Sequence, residues 1–316
     1  DWELLTERMG YWIDLSDPYV TYKPKYMETV WWLIKNIFEK NLLYKGYTVQ
    51  PYSPAAGSGL SSHELNQPGA YREISDTSVI AQFKCINDNK TDKFNGMFPF
   101  YFLAWTTTPW TLPSNTALTL GAKIEYSFVK TFNQYTREKI TVVLATSLIE
   151  KVFTKNFFIV KEESKLSLFK ESDAKIPYYV VNSFKGFEFE NLRYERIWDE
   201  APLPIDNPEN AFRVILGDFV TTDDGTGIVH TAPTFGADDY KAAKSAKPEV
   251  PPLLVPDKNG NKVPLVDLKG KFIDDIGMIS GKYVKNEYYE EDKIPEKSID
   301  VEIAIKLKEK NLAFKV

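Results

Sequence analysis

Thr106, Thr107 and Thr108 stand in an unbroken row, and Pro109, Trp110, Thr111, Leu112, Pro113, Ser114 and Asn115 follow at once. A row of hydroxyls leaving an aromatic-rich strand for a loop stiffened by two prolines suits a pocket that holds a small polar ligand or a water. β-Branched threonines are equally ordinary strand residues, and a proline alone would end a strand. The row therefore supports both readings. A second group lies downstream, where Gly225 and Gly227 flank Thr226, and Ile228, Val229 and His230 lead to Phe235, Gly236, Ala237, Asp238 and Asp239. Paired glycines let a backbone approach a ligand or a neighbouring strand closely, though a tight turn needs them too. His230, at a strand end, can be a packed structural residue, and Asp238 and Asp239 suit the first turn of a helix electrostatically. Strand end, loop and acidic helix start meet beside one of only two histidines in the chain. The other, His63, has no nucleophile or metal partner near it in sequence and reads as structural.

Several chemistries are excluded. One cysteine, Cys85, and two histidines rule out an internal disulfide and multi-cysteine or histidine-rich metal sites. There is no glycine-rich phosphate loop after a strand, no G-x-S-x-G elbow and no H-x-x-x-H pair. Nothing singles out a catalytic carboxylate pair among 44 acidic residues. A net charge of −5 gives no overall field to recruit nucleic acid. No apolar run reaches the roughly 20 residues of a membrane span, and no basic-then-apolar leader opens the chain. The chain begins at Asp1 in what reads as structured sequence, the expectation being a fragment of a longer cytoplasmic protein.

The elements that must position these residues are legible in outline. Met27, Val30, Trp31, Ile34, Ile37, Phe38 and Leu42 recur at helical spacing between Tyr26 and Tyr44, with Gly46 ending the run. A short strand is expected over 47–50. Short β-type runs then dominate: 79–83, 98–106, 126–129, 140–144, 157–160, 178–181 and 212–216. Helices are predicted over 147–153, 237–246 and 298–310, and a loop over 248–281. With 20 Phe, 18 Tyr and 7 Trp, a sizeable core is available. The fold class read from this pattern is α+β: a barrel-like body of mostly antiparallel short strands with peripheral helices, and a helical N-terminal flank.

The two motifs, in this order, resemble those of the editing domain of isoleucyl-tRNA synthetases. Trp105 through Asn115 is similar to the family's threonine-rich motif, and Gly225 through Asp239 to its second motif. The valyl and leucyl branches place an arginine and an acidic residue around the proline, where this chain has Thr108-Pro109-Trp110. Met9 to Asp14, Tyr26 to Trp32, Leu60 to Glu64 and Gly186 to Trp198 resemble flanking segments, so the likeness covers nearly the whole chain. It implies a connector over 1–72 and an editing domain over 73–316. The H-I-G-H and K-M-S-K-S signatures of amino-acid activation are absent, so ATP would belong only to the parent enzyme's aminoacylation site. Some members carry a Cys-x-x-Cys before the Leu-Ser-x-x-Glu junction. Ser53 and Ala56 stand in that region here, and no zinc or other cofactor is expected.

What the resemblance implies is hydrolysis of valine misattached to tRNA(Ile), and of valyl-adenylate as a further substrate. A missing methylene is worth only about 1–3 kcal/mol in an apolar pocket, a magnitude established on isoleucine and valine in this class of enzyme rather than derived from this sequence. A second, smaller pocket can complete the discrimination. Thr106, Thr107 and Thr108 would hold water or the ester carbonyl, and Asp239 the substrate's α-ammonium. His230 would wall off isoleucine and serve secondarily as a base, a role open also to the adenosine's vicinal hydroxyl. Trp110, Thr226, Gly227, Phe235 and Gly236 would contact substrate, while Asn115 would brace the loop or touch the terminal ribose. The implied partners are the 3′ end of tRNA(Ile) and the rest of the synthetase, with the protein a monomer away from membranes. Two rival readings stand beside this one: a non-catalytic tRNA-binding module, and an editing domain of a valyl or leucyl relative.

Overall fold

The computed structural model describes residues 1–44, 46 and 48–316. These fall into two compact units, Asp1–Thr48 and Val49–Val316. The first contains α1 (Trp2–Arg8) and α2 (Pro24–Glu39). Proline at the first position of α2 has its φ already set for a helix and no amide hydrogen to leave unpaired. The helix stops earlier than the apolar periodicity predicts. Asn41 adopts φ 56, and this left-handed residue, not Gly46, turns the chain out of the helix. Neither α1 nor α2 buries a residue. Of the strand expected over 47–50, Tyr47 lies outside the described residues and Thr48 to Gln50 are irregular.

The second unit opens with a small hairpin, β1 (Tyr52–Ser53) and β2 (Ser58–Gly59), and α3 (Ser62–Leu65), which starts on a Ser61–Glu64 capping box. Its body is built on β3 (Val79–Lys84), β4 (Phe100–Thr106), β5 (Ala117–Leu120), β6 (Glu125–Phe132) and β7 (Lys139–Ala145). The short α4 (Ile149–Val152), β8 (Phe157–Ile159), β9 (Ile176–Lys185), β10 (Arg213–Leu216) and β11 (Ile228–Thr231) follow. Then come α5 (Ala237–Ser245), the hairpin of β12 (Leu254–Pro256) and β13 (Lys262–Pro264), α6 (Ile299–Glu309) and β14 (Ala313–Lys315). Most runs read as strands in the sequence are strands here. The hairpin of β12 and β13 replaces part of the loop predicted over 248–281, and β5 was masked by its position right behind the proline-rich loop.

The sheet keeps the expected antiparallel majority and adds parallel pairings to it. Ten strands run in the order β10-β5-β11-β4-β7-β6-β9-β8, with β3 on the other edge of β4 and β14 beyond it. Five pairings are antiparallel, but β10·β5, β11·β4, β4·β7 and β8·β9 are parallel. The sheet is therefore mixed. Parallel partners are distant in sequence, so local alternation carries no sign of them. At β4 the sheet forks: one edge pairs along Tyr101 to Thr106 with β3, while the other gives its first half to β7 and Trp105 to β11. Thr106 thus sits at the open end of the fork. Isolated bridges Cys85–Tyr194 and Arg193–Arg213 connect the end of β3 to β10, laying Tyr194 across the interior.

Phenylalanines fill the centre, with Phe94 stacked on Phe189 at 5.0 Å and Phe100 edge-on to Phe128 at the same separation. Aromatic pairs in these geometries add to the burial of their area. This rigid body presents the strand ends that carry the two motifs.

Candidate functional site

β4 delivers the threonine row to the surface of the fork, and a 3-10 turn over Pro109–Ser114 then bends the chain back. The turn is closed by Thr111 N–H to the Thr108 carbonyl at 2.9 Å and Asn115 N–H to the Leu112 carbonyl at 3.0 Å. A third anchor comes from far downstream, where Asp300 in the first turn of α6 accepts the Trp110 N–H at 2.8 Å. Asp300 is fully buried and paired with Lys285 at 3.0 Å, and Lys285 also bonds Asp76. Burial raises the Asp300 carboxyl above the usual range, against the pull of Lys285 and the Trp110 amide.

β11 runs beside the tip of β4 and carries His230. Gly225 and Gly227, at φ 74 and 72, allow the tight entry into β11, and a Cβ on Gly227 would lie 2.5 Å from that of Ala145. Tyr126 pins this loop, its hydroxyl accepting the Gly121 N–H at 2.9 Å and donating to the Gly227 carbonyl at 2.7 Å. Beyond β11, Gly236 precedes α5, and Asp239 folds back so that its Oδ2 accepts the Ala232 N–H at 2.9 Å. A Cβ at Gly236 would stand 2.6 Å from that oxygen, so this fold-back needs glycine there. Burial raises the Asp239 carboxyl, the Ala232 amide opposes it, and nearby Asp238 adds to the rise.

These elements enclose a cavity of about 630 Å³. Thr106, Thr107, Thr108 and Trp110 line one side, and His230, Phe235, Gly236 and Asp239 the next. Trp110 and Phe235 meet edge to face, ring centroids 4.9 Å apart. The far wall, from Pro264 to Gly270 with Val284 and Tyr288, and the strip from Val49 to Pro54, have no counterpart in the sequence reading. Thr106 is buried, its Oγ1 accepting the Thr108 N–H at 3.1 Å, whereas Thr107 and Thr108 are exposed to the cavity side.

Three residues assigned to substrate contact do not line the cavity. Thr226 is buried, with its hydroxyl 3.4 Å from the Ile228 carbonyl and its own carbonyl accepting the Ala145 N–H at 2.8 Å. Gly227 is packed on Ala145. Asn115 lies behind His230, too deep to touch a ribose, and braces instead. One amide N–H goes to the Ala117 carbonyl at 2.8 Å and the other to His230 Nδ1 at 2.9 Å, while Oδ1 accepts the Tyr194 hydroxyl at 2.6 Å. His230 Nε2 is 3.0 Å from Thr111 Oγ1, which donates to the Thr108 carbonyl at 2.8 Å. Burial lowers the His230 pKa to about 3, so the ring is neutral near pH 7. Both ring nitrogens of His230 are thus engaged in hydrogen bonds within the wall. His63 is exposed on α3, outside the cavity.

Thr111, Tyr194 and Asp300 are the functional residues the sequence did not disclose. Thr111 stands within the first motif and its type was a signal. Tyr194 had none, lying 79 residues from Asn115, and Asp300 is indistinguishable from an ordinary helix-start carboxylate. Among the described residues, no group of three His, Cys, Asp or Glu is placed to hold a metal ion, and no helix is long and apolar enough to cross a membrane.

Residues 1–293 match the family model of tRNA synthetases class I (I, L, M and V). The isoleucine–tRNA ligase of Bacteroides fragilis (strain YCH46) is 50% identical over 333 residues, covering 100% of this chain and 28% of that protein. The Cytophaga hutchinsonii isoleucine–tRNA ligase is 49% identical over 328 residues, with the same coverage. This chain thus spans 28% of the length of these relatives. Among solved structures, GlLeuRS-CP1 superposes with a TM-score of 0.47 at 14% identity, over 76% of this chain and 98% of that one. The P. knowlesi cytosolic leucyl-tRNA synthetase editing domain gives 0.37 at 14%, over 52% and 60%. At that level of superposition neither structure constrains the site.

Proposed function

The chain belongs to the class I tRNA synthetases of the I, L, M and V group, and from that premise we propose that it is an editing module hydrolysing valine misattached to tRNA(Ile). In this reading residues 73–316 form the editing domain and 1–72 the connector. The observation that carries it is Asp239: a half-buried carboxylate, raised by desolvation, at the wall of a cavity that also gathers three threonines. Among the described residues Asp239 makes no salt bridge, so the site supplies an anion without its cation. An aminoacyl ester brings one in its α-ammonium, and the pair would form a charge-assisted bond in a sheltered site.

With the ammonium held at Asp239, the amino-acid side chain would lie toward Trp110, Phe235 and the carbon edge of His230. A water held by the threonine hydroxyls attacks the ester carbonyl, the bond to the ribose oxygen breaks, and that oxygen takes a proton. The products are free valine and uncharged tRNA. An activated ester needs positioning more than a covalent nucleophile, and the threonines position rather than attack. The water's proton is assigned to the ribose's vicinal hydroxyl, which passes its own to the leaving oxygen, since His230 has no free nitrogen. Valyl-adenylate would carry the same ammonium into the same cavity. No cofactor is assigned. The 3′ end of tRNA(Ile) and the remainder of the synthetase are the proposed partners of a cytoplasmic monomer.

Deacylation assays test this directly. The protein should release amino acid from Val-tRNA(Ile) while sparing Ile-tRNA(Ile), and Asp239→Ala should abolish release with the fold intact. Binding of tRNA without hydrolysis would favour the binding-module reading. Preference for another aminoacyl ester would assign the chain to the valyl or leucyl branch.

A further inference from the structure

Four side chains drawn from three parts of the sequence meet beneath the cavity wall, and their donors and acceptors point one way. The order begins at the Asn115 amide. A backbone carbonyl only accepts, so Ala117 at 2.8 Å obliges the Asn115 nitrogen to face it. The second N–H of that nitrogen then meets His230 Nδ1 at 2.9 Å, well inside the Thr231 carbonyl at 3.5 Å, so Nδ1 accepts. A neutral imidazole that accepts at Nδ1 carries its proton on Nε2. Nε2–H donates to Thr111 Oγ1 at 3.0 Å, and Thr111 passes its own hydrogen to the Thr108 carbonyl at 2.8 Å. At the other end Tyr194, 1% exposed, donates to Asn115 Oδ1 at 2.6 Å. Tyr194 is itself held by the bridge to Cys85, so it is fixed to the opposite edge of the fork.

We propose that Tyr194 is a positioning residue: through Asn115 it locks His230 as the Nε2–H tautomer and ties the imidazole wall and the threonine turn into one unit. The wall then shows the ligand carbon, and selects by shape alone. Among the described residues the hydroxyl of Tyr194 is the only donor to Asn115 Oδ1. Without it that buried oxygen is left unsatisfied, and the amide is free to swing off Nδ1. Burial holds the Tyr194 hydroxyl well above the ordinary tyrosine range, which keeps it a donor at any working pH. The proton assignment rests on geometry alone, and the selectivity consequence rests on the editing reading.

Nitrogen-15 labelling of histidine tests the first part on the unmodified protein, since the chain has only two histidines and His63 supplies the comparison. The expected spectrum shows His230 with a proton bonded to Nε2 and none on Nδ1. A proton on Nδ1, or an exchange-averaged ring, overturns the proposal. Tyr194→Phe should move the His230 signals toward the average of the two tautomers, and unchanged signals would remove Tyr194 as the anchor. Asn115→Asp, which can only accept, should put a proton on Nδ1, alone or in an imidazolium, and a bare Nδ1 would show that residue 115 does not set it. In deacylation, Tyr194→Phe should lower the preference for Val- over Ile-tRNA(Ile) by about fivefold to tenfold, the scale of one unsatisfied buried acceptor, and undiminished preference would overturn the selectivity part. Absence of hydrolysis by the unmodified protein would sink the editing reading and leave the spectra to decide the proton.

Discussion

Replacing Asp239 with asparagine should strengthen the fold and weaken the site. The amide keeps an oxygen where Oδ2 accepts the Ala232 N–H at 2.9 Å, so the turn into α5 survives. What is lost is the charge. Because burial raises the Asp239 carboxyl in the folded state, its ionisation opposes folding. The unfolded chain releases this proton at a lower pH than the folded one, so stability is fullest below the unfolded pKa and declines as pH rises through the folded value. Near neutrality Asp239→Asn should therefore gain about 1 kcal/mol, the ordinary yield of relieving a strained functional residue, and raise Tm by about 2–4 °C for a unit of this size. The gain should vanish in acid, where the wild-type carboxyl is protonated too. Binding should go the other way. Removing one partner of a sheltered charge pair costs about 2–5 kcal/mol, a loss of roughly 30-fold to several thousand-fold in affinity. Calorimetry with a non-hydrolysable valyl-adenosine analogue and its N-acetylated counterpart measures this. The wild type should discriminate strongly between the two, and the asparagine variant little. Equal affinity of both proteins for the free-amine analogue would refute the ammonium contact. A variant less stable than wild type at neutral pH would refute the account of the carboxylate's burial.

Two further outcomes follow from the supports of the site. Asp300→Ala strands the Trp110 N–H and leaves Lys285 with Asp76 alone. Together these should cost about 3 kcal/mol, read by thermal denaturation as a fall of about 6–12 °C, with Asp300→Asn in between because it still accepts from Trp110. For His230, burial lowers the folded pKa to about 3, so between the ordinary histidine value and that figure the unfolded state binds the extra proton. Stability should fall by up to roughly 1.4 kcal/mol per pH unit across this window as acid is added. Comparing acid-unfolding curves of wild type and His230→Gln isolates that slope, and parallel curves would show the ring to be less sheltered than its position implies.

The residues of the site were legible in sequence as two short motifs, because hydroxyls, a histidine and a carboxylate beside prolines and glycines are signals of residue type and spacing. So were most strands of the body, since alternating burial leaves its mark within six or eight residues. Roles were another matter. Asn115, Thr226 and Gly227 sit in the same motifs as the cavity residues, yet they point behind the wall, and nothing local distinguishes them. Whether His230 holds a proton on one nitrogen or the other depends on the stretch from Thr111 to Ala117 and on Tyr194, both far from it along the chain. The parallel pairings that fork the sheet at β4, and the reach of Asp300 from α6 to the Trp110 amide, likewise join segments far apart along the chain. Type and period are properties of neighbours in sequence. The direction of a side chain, the partner of a buried polar atom and the charge state that follows are properties of neighbours in space.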